Sequence, residues 1–386
     1  MRLVVIVSSD YGELGAAMNF LEGLQAPIAG DQATILLPRA LLPALADRPC
    51  WDLRPYGSAD DLRAAIAELE PDTVVFFSAY LLLFTGRDIG VRSLRMILRD
   101  LHHRSVRVFT SDPFIGLLRW PWSIRLFDFL RAQLPGRPRA VVALIAALAS
   151  CRLFFVRRAL RGVVHLYPAS IEAAGPARYL RWVQYRGAPA AQQGARPILA
   201  ARRCWMFVLS RVDLDLQQRL HGPRFVELVE SRLRETLRAG RQALLVAPAA
   251  LVAALQDRFA GVTGVELRAA PTYADYVEQL ICAEYAFFWN FYSYSILQRA
   301  ATGSPVFFFH AGHMEHVLPA LKSAGVACFY RGWRPPLQPD DEVLDAARLD
   351  GLAALARPHM LHIAQALKQG RSAAELLGQR ATTVSG

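Results

Sequence analysis

The chain has 386 residues, of which 53% are hydrophobic and 20% charged, and a net charge of +11. That length exceeds a single ordinary core and points to two domains, while the composition excludes a disordered chain. The basic excess is nearly all arginine, with Lys322 and Lys368 the only lysines; no basic run interleaved with exposed aromatics and no known module appears, which argues against a nucleic-acid partner.

RLVVIVSS at the N-terminus is a short apolar run closed by polar residues. It lacks the longer apolar region and small-residue cleavage site of a signal peptide, so it reads as a first strand. A Gly-containing loop over residues 10–15 follows, then a helix over 16–24 and a strand at QATILLP. A helix over 59–69 leads to DTVVFFSAY, whose continuous apolar character suits a parallel strand covered on both faces. A helix over 91–102 and the strand VRVFTSD come next, ended by Pro113. This alternation implies a doubly wound parallel sheet, in which ligands bind beyond the carboxyl ends of the strands. That places residues 8–15, 78–80 and 110–114 on one rim.

Residues 117–162 interrupt the alternation. RWPWSIRLFDFLRAQLPGRPRA carries Trp120, Trp122 and Phe127 among arginines, with Asp128 as its one acid. Such a segment either lies on an anionic membrane or packs as a helical excursion with solvated arginines. The apolar stretch over 140–156 is interrupted by Arg152 and falls short of the roughly 20 residues a span needs, so it reads as a buried or interfacial helix. VVHLYPAS is the last strand of the first half, and the aperiodic run that starts at RWVQYRG reads as a linker.

The second half repeats the pattern. Strands are expected at CWMFVLS, QALLVAP, VELRAAP, AEYAFFW, PVFFF and VACFY, with helices over 223–239, 251–259, 273–282, 295–301 and 315–324. An Ala/Leu-rich helix over 349–368 finishes the chain. The expected units are 1–185, 203–350 and a terminal helix and tail over 351–386. The five cysteines are scattered, odd in number and without a CxxC pair, which favours free thiols in a reducing compartment over disulfides or a metal site. The abundance of Ala, Leu and Arg suggests a high-GC bacterial source.

Two stretches carry a family resemblance: PTYADYVEQLICAEYAFFWN and FYSYSILQRAATGSPVFFFHAGHMEHVLPALKSAGVA. Their order of proline loop, helix, strand, small-polar loop, helix, Gly-x-Pro-Val turn, strand and polar loop resembles the nucleotide-sugar domain of GT-B glycosyltransferases over residues 205–330. The first half is similar in architecture. The resemblance implies an α/β protein of two doubly wound, Rossmann-like domains facing a cleft. It implies a metal-independent, hexosyltransferase-like enzyme without a cofactor, moving a sugar from a UDP-type nucleotide diphosphate sugar to a small-molecule or lipid-linked acceptor hydroxyl. Its expected place is the cytoplasm, with peripheral contact to the inner membrane face. Relatives of this fold include nucleotide-sugar epimerases and hydrolases, and a non-catalytic sugar-nucleotide-binding protein would use the same frame.

Ser293, Tyr294 and Ser295 sit where the helix after AEYAFFW begins. Free N–H groups at such a start, facing an interdomain gap, can hold a diphosphate, and the serine hydroxyls either donate to it or cap the helix. Gln298 stands one turn on, where the family often places a glutamate for ribose hydroxyls; it serves the ribose or is a solvated helix residue. Gly303, Ser304 and Pro305 form the structural turn into the next strand. His313 and Glu315 occupy the loop that meets the donor sugar in the family. Ser210 and Arg211 follow the first strand of the second half; Arg211 either balances the departing diphosphate or is a surface arginine. Thr272 and Tyr273 fall in the proline loop that borders the nucleotide base. Candidates for the base that deprotonates the acceptor are Asp10, Glu13 and Asp112 on the first rim, each also readable as a helix cap or surface charge.

Overall fold

The computed structural model describes residues 1–8, 11–24, 33–46, 51–83, 89–111, 127, 130–131, 134, 136–168, 179–182, 203–269, 271–312, 326, 329–369 and 371–378. Two parallel sheets organise the chain. The first has seven strands: β1 (Leu3–Val7), β2 (Ala33–Pro38), β3 (Asp52–Tyr56), β4 (Thr73–Phe77), β5 (Arg107–Ser111), β6 (Val164–Pro168) and β7 (Tyr179–Trp182), in the order β3-β2-β1-β4-β5-β6-β7. The second has β8 (Cys204–Val208), β9 (Gln242–Val246), β10 (Val265–Arg268), β11 (Tyr285–Phe288) and β12 (Val306–Phe308), in the order β10-β9-β8-β11-β12. This is the expected fold class, two Rossmann-like α/β units.

Central strands are apolar along their whole length because helices cover both faces. LVVIV of β1 and TVVFF of β4 are buried at every position, and Val4 faces both Thr34 and Val74 in register. On the first sheet's side lie α1 (Tyr11–Glu22), α2 (Ala59–Leu69), α3 (Val91–His103) and α4 (Arg139–Ala159). Helix α2 starts on a capping box, in which the Ser58 hydroxyl accepts from the Asp61 N–H and the Asp61 carboxylate accepts from the Ser58 N–H. The second sheet is flanked by α5 (Arg211–His221), α6 (Arg224–Arg238), α7 (Ala249–Gln256), α8 (Tyr273–Cys282), α9 (Tyr294–Ala300) and α10 (Ala346–Lys368), and the last helix, α11 (Ala373–Gly378), returns toward the first half.

The two halves share a core. Leu14, Ala17 and Leu21 of α1 pack in one cluster with Tyr273 and Leu280 of α8, Leu297 of α9, Met360 of α10 and Leu376 of α11. The chain end returns to the first sheet, where the Arg107 guanidinium donates to the Leu377 carbonyl at 2.5 Å. A fully buried arginine anchors α9 from within. Arg299 donates to the carbonyls of Leu280 (2.7 Å), Ile281 (3.1 Å), Glu284 (2.9 Å) and Pro305 (3.2 Å). Burial pulls its pKa down to about 10, which leaves it charged at neutral pH.

Four local expectations change. Residues 11–15 are not a loop, because α1 begins at Tyr11 and carries Gly12 and Gly15 inside it. Gly15 lies under Tyr273, where an added Cβ would sit 3.5 Å from the ring, so the small residues bring α1 close to α8. Strands β3 and β7 were unforeseen. DLRPY and YLRW are polar or short, and they form the two edges of the seven-stranded sheet. Residues 181–182, expected in the linker, therefore belong to β7. VACFY is not a strand: Val326, Phe329 and Tyr330 are helical. The aromatic pair packs inward instead, with Tyr330 against Phe308 and Phe291 and Phe329 against Tyr292. Beyond β12 a single bridge joins Phe308 to Leu337. The interrupted apolar stretch forms α4, and no helix among the described residues is long and apolar enough to cross a membrane. The expected helix over 315–324 and residues 183–202 of the expected linker lie outside the described residues, as do Trp120 and Trp122.

Candidate active site

The rim of the first sheet is stitched by hydroxyls. Ser8, just past β1, is fully buried; its hydroxyl donates to the Ser78 carbonyl at 2.6 Å and lies against the Phe77 carbonyl. Ser78, past β4, donates to the Ser111 carbonyl at 2.6 Å, and the Ala79 N–H donates to Thr110 Oγ1 at 3.1 Å. Tyr56 completes the row, its hydroxyl donating to the Val7 carbonyl at 2.6 Å. These hydroxyls at the strand ends hydrogen-bond backbone groups of neighbouring strands, carbonyls for Ser8, Ser78 and Tyr56 and an N–H for Thr110. Above this floor, Glu13 occupies the first turn of α1 and is 8% exposed. Asp10 and Asp112 lie outside the described residues.

The rim of the second sheet is knotted by charge. Ser210 caps α5, accepting from the Asp213 N–H at 3.2 Å, and its hydroxyl donates to Asp213 Oδ2 at 2.5 Å. Asn290, past β11, donates to the same Oδ2 at 3.2 Å, and its Oδ1 accepts from the Tyr292 N–H at 2.7 Å. Asp213 is 2% exposed, so these bonds are what make its burial tolerable. Past β12 the Gly312 N–H donates to His310 Nδ1 at 2.9 Å, and the Phe291 N–H donates to the Ala311 carbonyl at 3.1 Å. Gly312 has φ +86°, and a Cβ there would lie 2.6 Å from Asn290 Oδ1. Three strand ends thus meet at Asn290. Tyr330 closes the base of this corner by donating to the Phe291 carbonyl at 2.6 Å, its phenol held well above its ordinary pKa by burial. One turn beyond Asp213, Gln217 is buried with its amide nitrogen lacking a hydrogen-bond partner.

The remaining expected residues fall around this knot. Arg211 is the first residue of α5 and is exposed. Thr272 caps α8 by accepting from the Asp275 N–H at 3.2 Å. Tyr273 faces the other half: its hydroxyl donates to the Gly15 carbonyl at 3.3 Å and accepts from Asn19 Nδ2 at 3.2 Å. Ser293 caps α9 by accepting from the Ser295 N–H at 3.3 Å. The first turn of α9 does not open on a gap. Tyr294, Ser295 and Gln298 are 8%, 7% and 8% exposed, α1 packs against the helix, and the Tyr294 hydroxyl lies 3.5 Å from Ser111 Oγ. Gln298 is therefore no solvated surface residue. His313 and Glu315 lie outside the described residues, and no cluster of metal-ligand side chains occurs among the described ones.

Asp213, Asn290 and Gly312 escaped the sequence reading, whereas Ser111 lies on the rim expected over 110–114. The one local signal is a carboxamide directly after the buried strand YAFFW; the partners lie 77 residues back and 22 residues on.

No family model matches the chain, and no curated protein matches it by sequence. Solved structures match over nearly its full length. The calicheamicin glycosyltransferase CalG4 superposes with a TM-score of 0.53 at 12% identity, covering 97% of this chain and 96% of that one. UGT2 of Phytolacca americana, complexed with UDP-2fluoro-glucose and pterostilbene, gives 0.52 at 13% identity, covering 98% of each chain. UDP-glucose:anthocyanidin 3-O-glucosyltransferase, in complex with UDP, gives 0.53 at 10% identity, covering 97% of this chain and 96% of that one. With both parallel sheets and their shared boundary in place, the chain has the two-domain fold of the GT-B glycosyltransferases.

Proposed function

We propose that the protein is a cytoplasmic glycosyltransferase that moves a sugar from a UDP-type nucleotide diphosphate sugar to an acceptor hydroxyl, small-molecule or lipid-linked, without a metal. The observation that carries this reading is the meeting of two strand-end rims, marked by the Ser111–Tyr294 approach at 3.5 Å. Ligands of doubly wound sheets bind at such ends, and two rims brought together give donor and acceptor one place to react. The UDP and UDP-sugar held by the structural neighbours support the donor class.

In this reading residues 203–350 hold the donor and residues 1–185 the acceptor and base, with α10 and α11 packing against both. Arg211 stabilises charge on the departing diphosphate, with the amides and hydroxyls around Ser210, Ser293 and Ser295. Thr272 and Tyr273 border the nucleotide base, Gln298 the ribose, and His313 and Glu315 the sugar. Glu13, Asp10 or Asp112 takes the acceptor proton. The buried first turn of α9 sets a condition. Ser293 is half-buried at the helix start, but a diphosphate reaches the buried Ser295 only if α1 withdraws from α9, so in this reading the described arrangement is the closed one and donor entry opens it.

The test is sugar-nucleotide turnover with and without an acceptor panel. Transfer that requires acceptor supports the reading. Isomerisation or sugar release without acceptor replaces it with an epimerase or hydrolase on the same frame, and binding without turnover replaces it with a carrier. Small-angle scattering with and without UDP checks the opening: an unchanged profile alongside tight UDP binding rules the α1–α9 separation out.

A further inference from the structure

Helix α4 carries half of the large hydrophobic side chains that stand exposed among the described residues. They are Val141, Leu144, Ile145, Leu148, Phe154 and Phe155, six of twelve; the others are spread over α5, α10 and the loops between β12 and α10. Val141, Leu144, Ile145 and Leu148 recur at three- and four-residue spacing and form one stripe over the first half of the helix, with Phe155 seven residues on from Leu148. The opposite side holds the buried Val142 and Ala146, and it is through this helix's inner side that α4 packs on α3. Leu144 and Leu148 are 60% and 62% exposed, which is far from the residual exposure of a core helix. Singly scattered apolar residues need no explanation; several aligned along one side of a helix do.

Charge decides what the stripe faces. Residues 117–162 hold nine arginines and one acid, Asp128. Exposed Arg137 and Arg139 stand at the start of α4 and exposed Arg158 and Arg161 at its end. The helix has 21 residues, about 31 Å of length, too short of apolar character to cross a bilayer and long enough to lie along one. A second copy of this chain would set arginines against arginines, which like-charge repulsion disfavours. A lipid surface with anionic headgroups accepts both parts at once: acyl chains take the stripe and headgroup phosphates take the guanidinium groups. We propose that α4 docks the protein, lying in plane, on an anionic membrane surface. The docking does not depend on the transfer chemistry, and an epimerase on this frame would dock the same way.

The test is flotation of the full chain with vesicles of phosphatidylcholine plus phosphatidylglycerol, against phosphatidylcholine alone. The expected result is flotation with the anionic vesicles only, weakened by added salt. The Leu144→Ser/Leu148→Ser variant is expected to reduce the bound fraction about tenfold or more while keeping the wild-type melting temperature. An Arg137→Ser/Arg139→Ser variant is expected to lose the preference for anionic lipid. Four results overturn the proposal. The wild type stays in solution with anionic vesicles; the leucine variant floats like wild type; the leucine variant melts markedly lower, which means the chain itself covers the stripe; or the wild type is a dimer that the leucine variant dissociates.

Discussion

The two rims solve the same problem with different chemistry. Strand ends leave carbonyls and N–H groups without sheet partners, and both rims must satisfy them. The seven-stranded sheet does so with neutral hydroxyls, Ser8, Ser78, Thr110 and Tyr56, each spent on a backbone group of a neighbouring strand. The five-stranded sheet buries a carboxylate, Asp213, and surrounds it with Ser210 and Asn290. A neutral hydroxyl costs little to bury once bonded, whereas an ion pays several kcal/mol unless its lone pairs are filled. The first rim is therefore a closed floor, and any reactive group must come from α1 and the loops above it. The second rim is where strong local electrostatics are set in place.

This contrast breaks most visibly at Gly312. Its φ of +86° and the 2.6 Å and 2.8 Å approaches of a Cβ to Asn290 leave no room for a side chain. Gly312→Ala is expected to cost about 3 kcal/mol or more, read as a shift in the denaturation midpoint, and to weaken nucleotide binding with it. Asp213→Ala comes next. It strands the donors of half-buried Ser210 and buried Asn290 and is expected to cost about 2–3 kcal/mol, with Asp213→Asn recovering part of it. If the aspartate variant were neutral, the charged rim would be no more demanding than the neutral one. Ser78→Ala on the first rim removes one hydroxyl bond and is expected to cost about 1 kcal/mol by the same measurement. Tyr294→Phe has the smallest effect: the 3.5 Å approach to Ser111 is at the outer limit of a hydrogen bond, so stability should change by less than about 0.5 kcal/mol. Its use is on the boundary between the rims, where a change in the scattering profile would show that this contact helps hold the closed arrangement.

The long central strands and amphipathic helices were legible because their signals are local. LVVIV, TVVFF and CWMFV read as strands without any partner in view, and helices α2 and α8 appear with the expected bounds. The edges were not legible. DLRPY and YLRW have no apolar run, since an edge strand needs only one neighbour and one covered face. The glycines at 12 and 15 signal a loop in isolation, yet both lie inside α1, where Gly15 sits under the Tyr273 ring. Phe329 and Tyr330 suit a strand by composition but are helical because aromatic pockets around Phe291, Tyr292 and Phe308 receive them.

The candidate site shows the same division. Thr272 and Ser293 were visible as small polar residues at helix starts, and each is an N-cap; Ser210 reads in the sequence as the start of a loop, and the structure makes it the N-cap of α5. Asp213 and Asn290 are unremarkable in the chain, one in a polar helix and one after a strand, and they become a pair only when β8 and β11 lie side by side.

Periodicity and side-chain type by themselves determined that this chain builds two parallel, helix-covered sheets, because burial on both faces demands continuous apolar strands and amphipathic helices between them. Only the tertiary structure decided which polar groups meet, that the start of α9 is filled by Tyr294 and α1, and that the stripe on α4 stays uncovered among the described residues. Those outcomes depend on which surfaces come together across many residues of chain, and no local pattern carries that information.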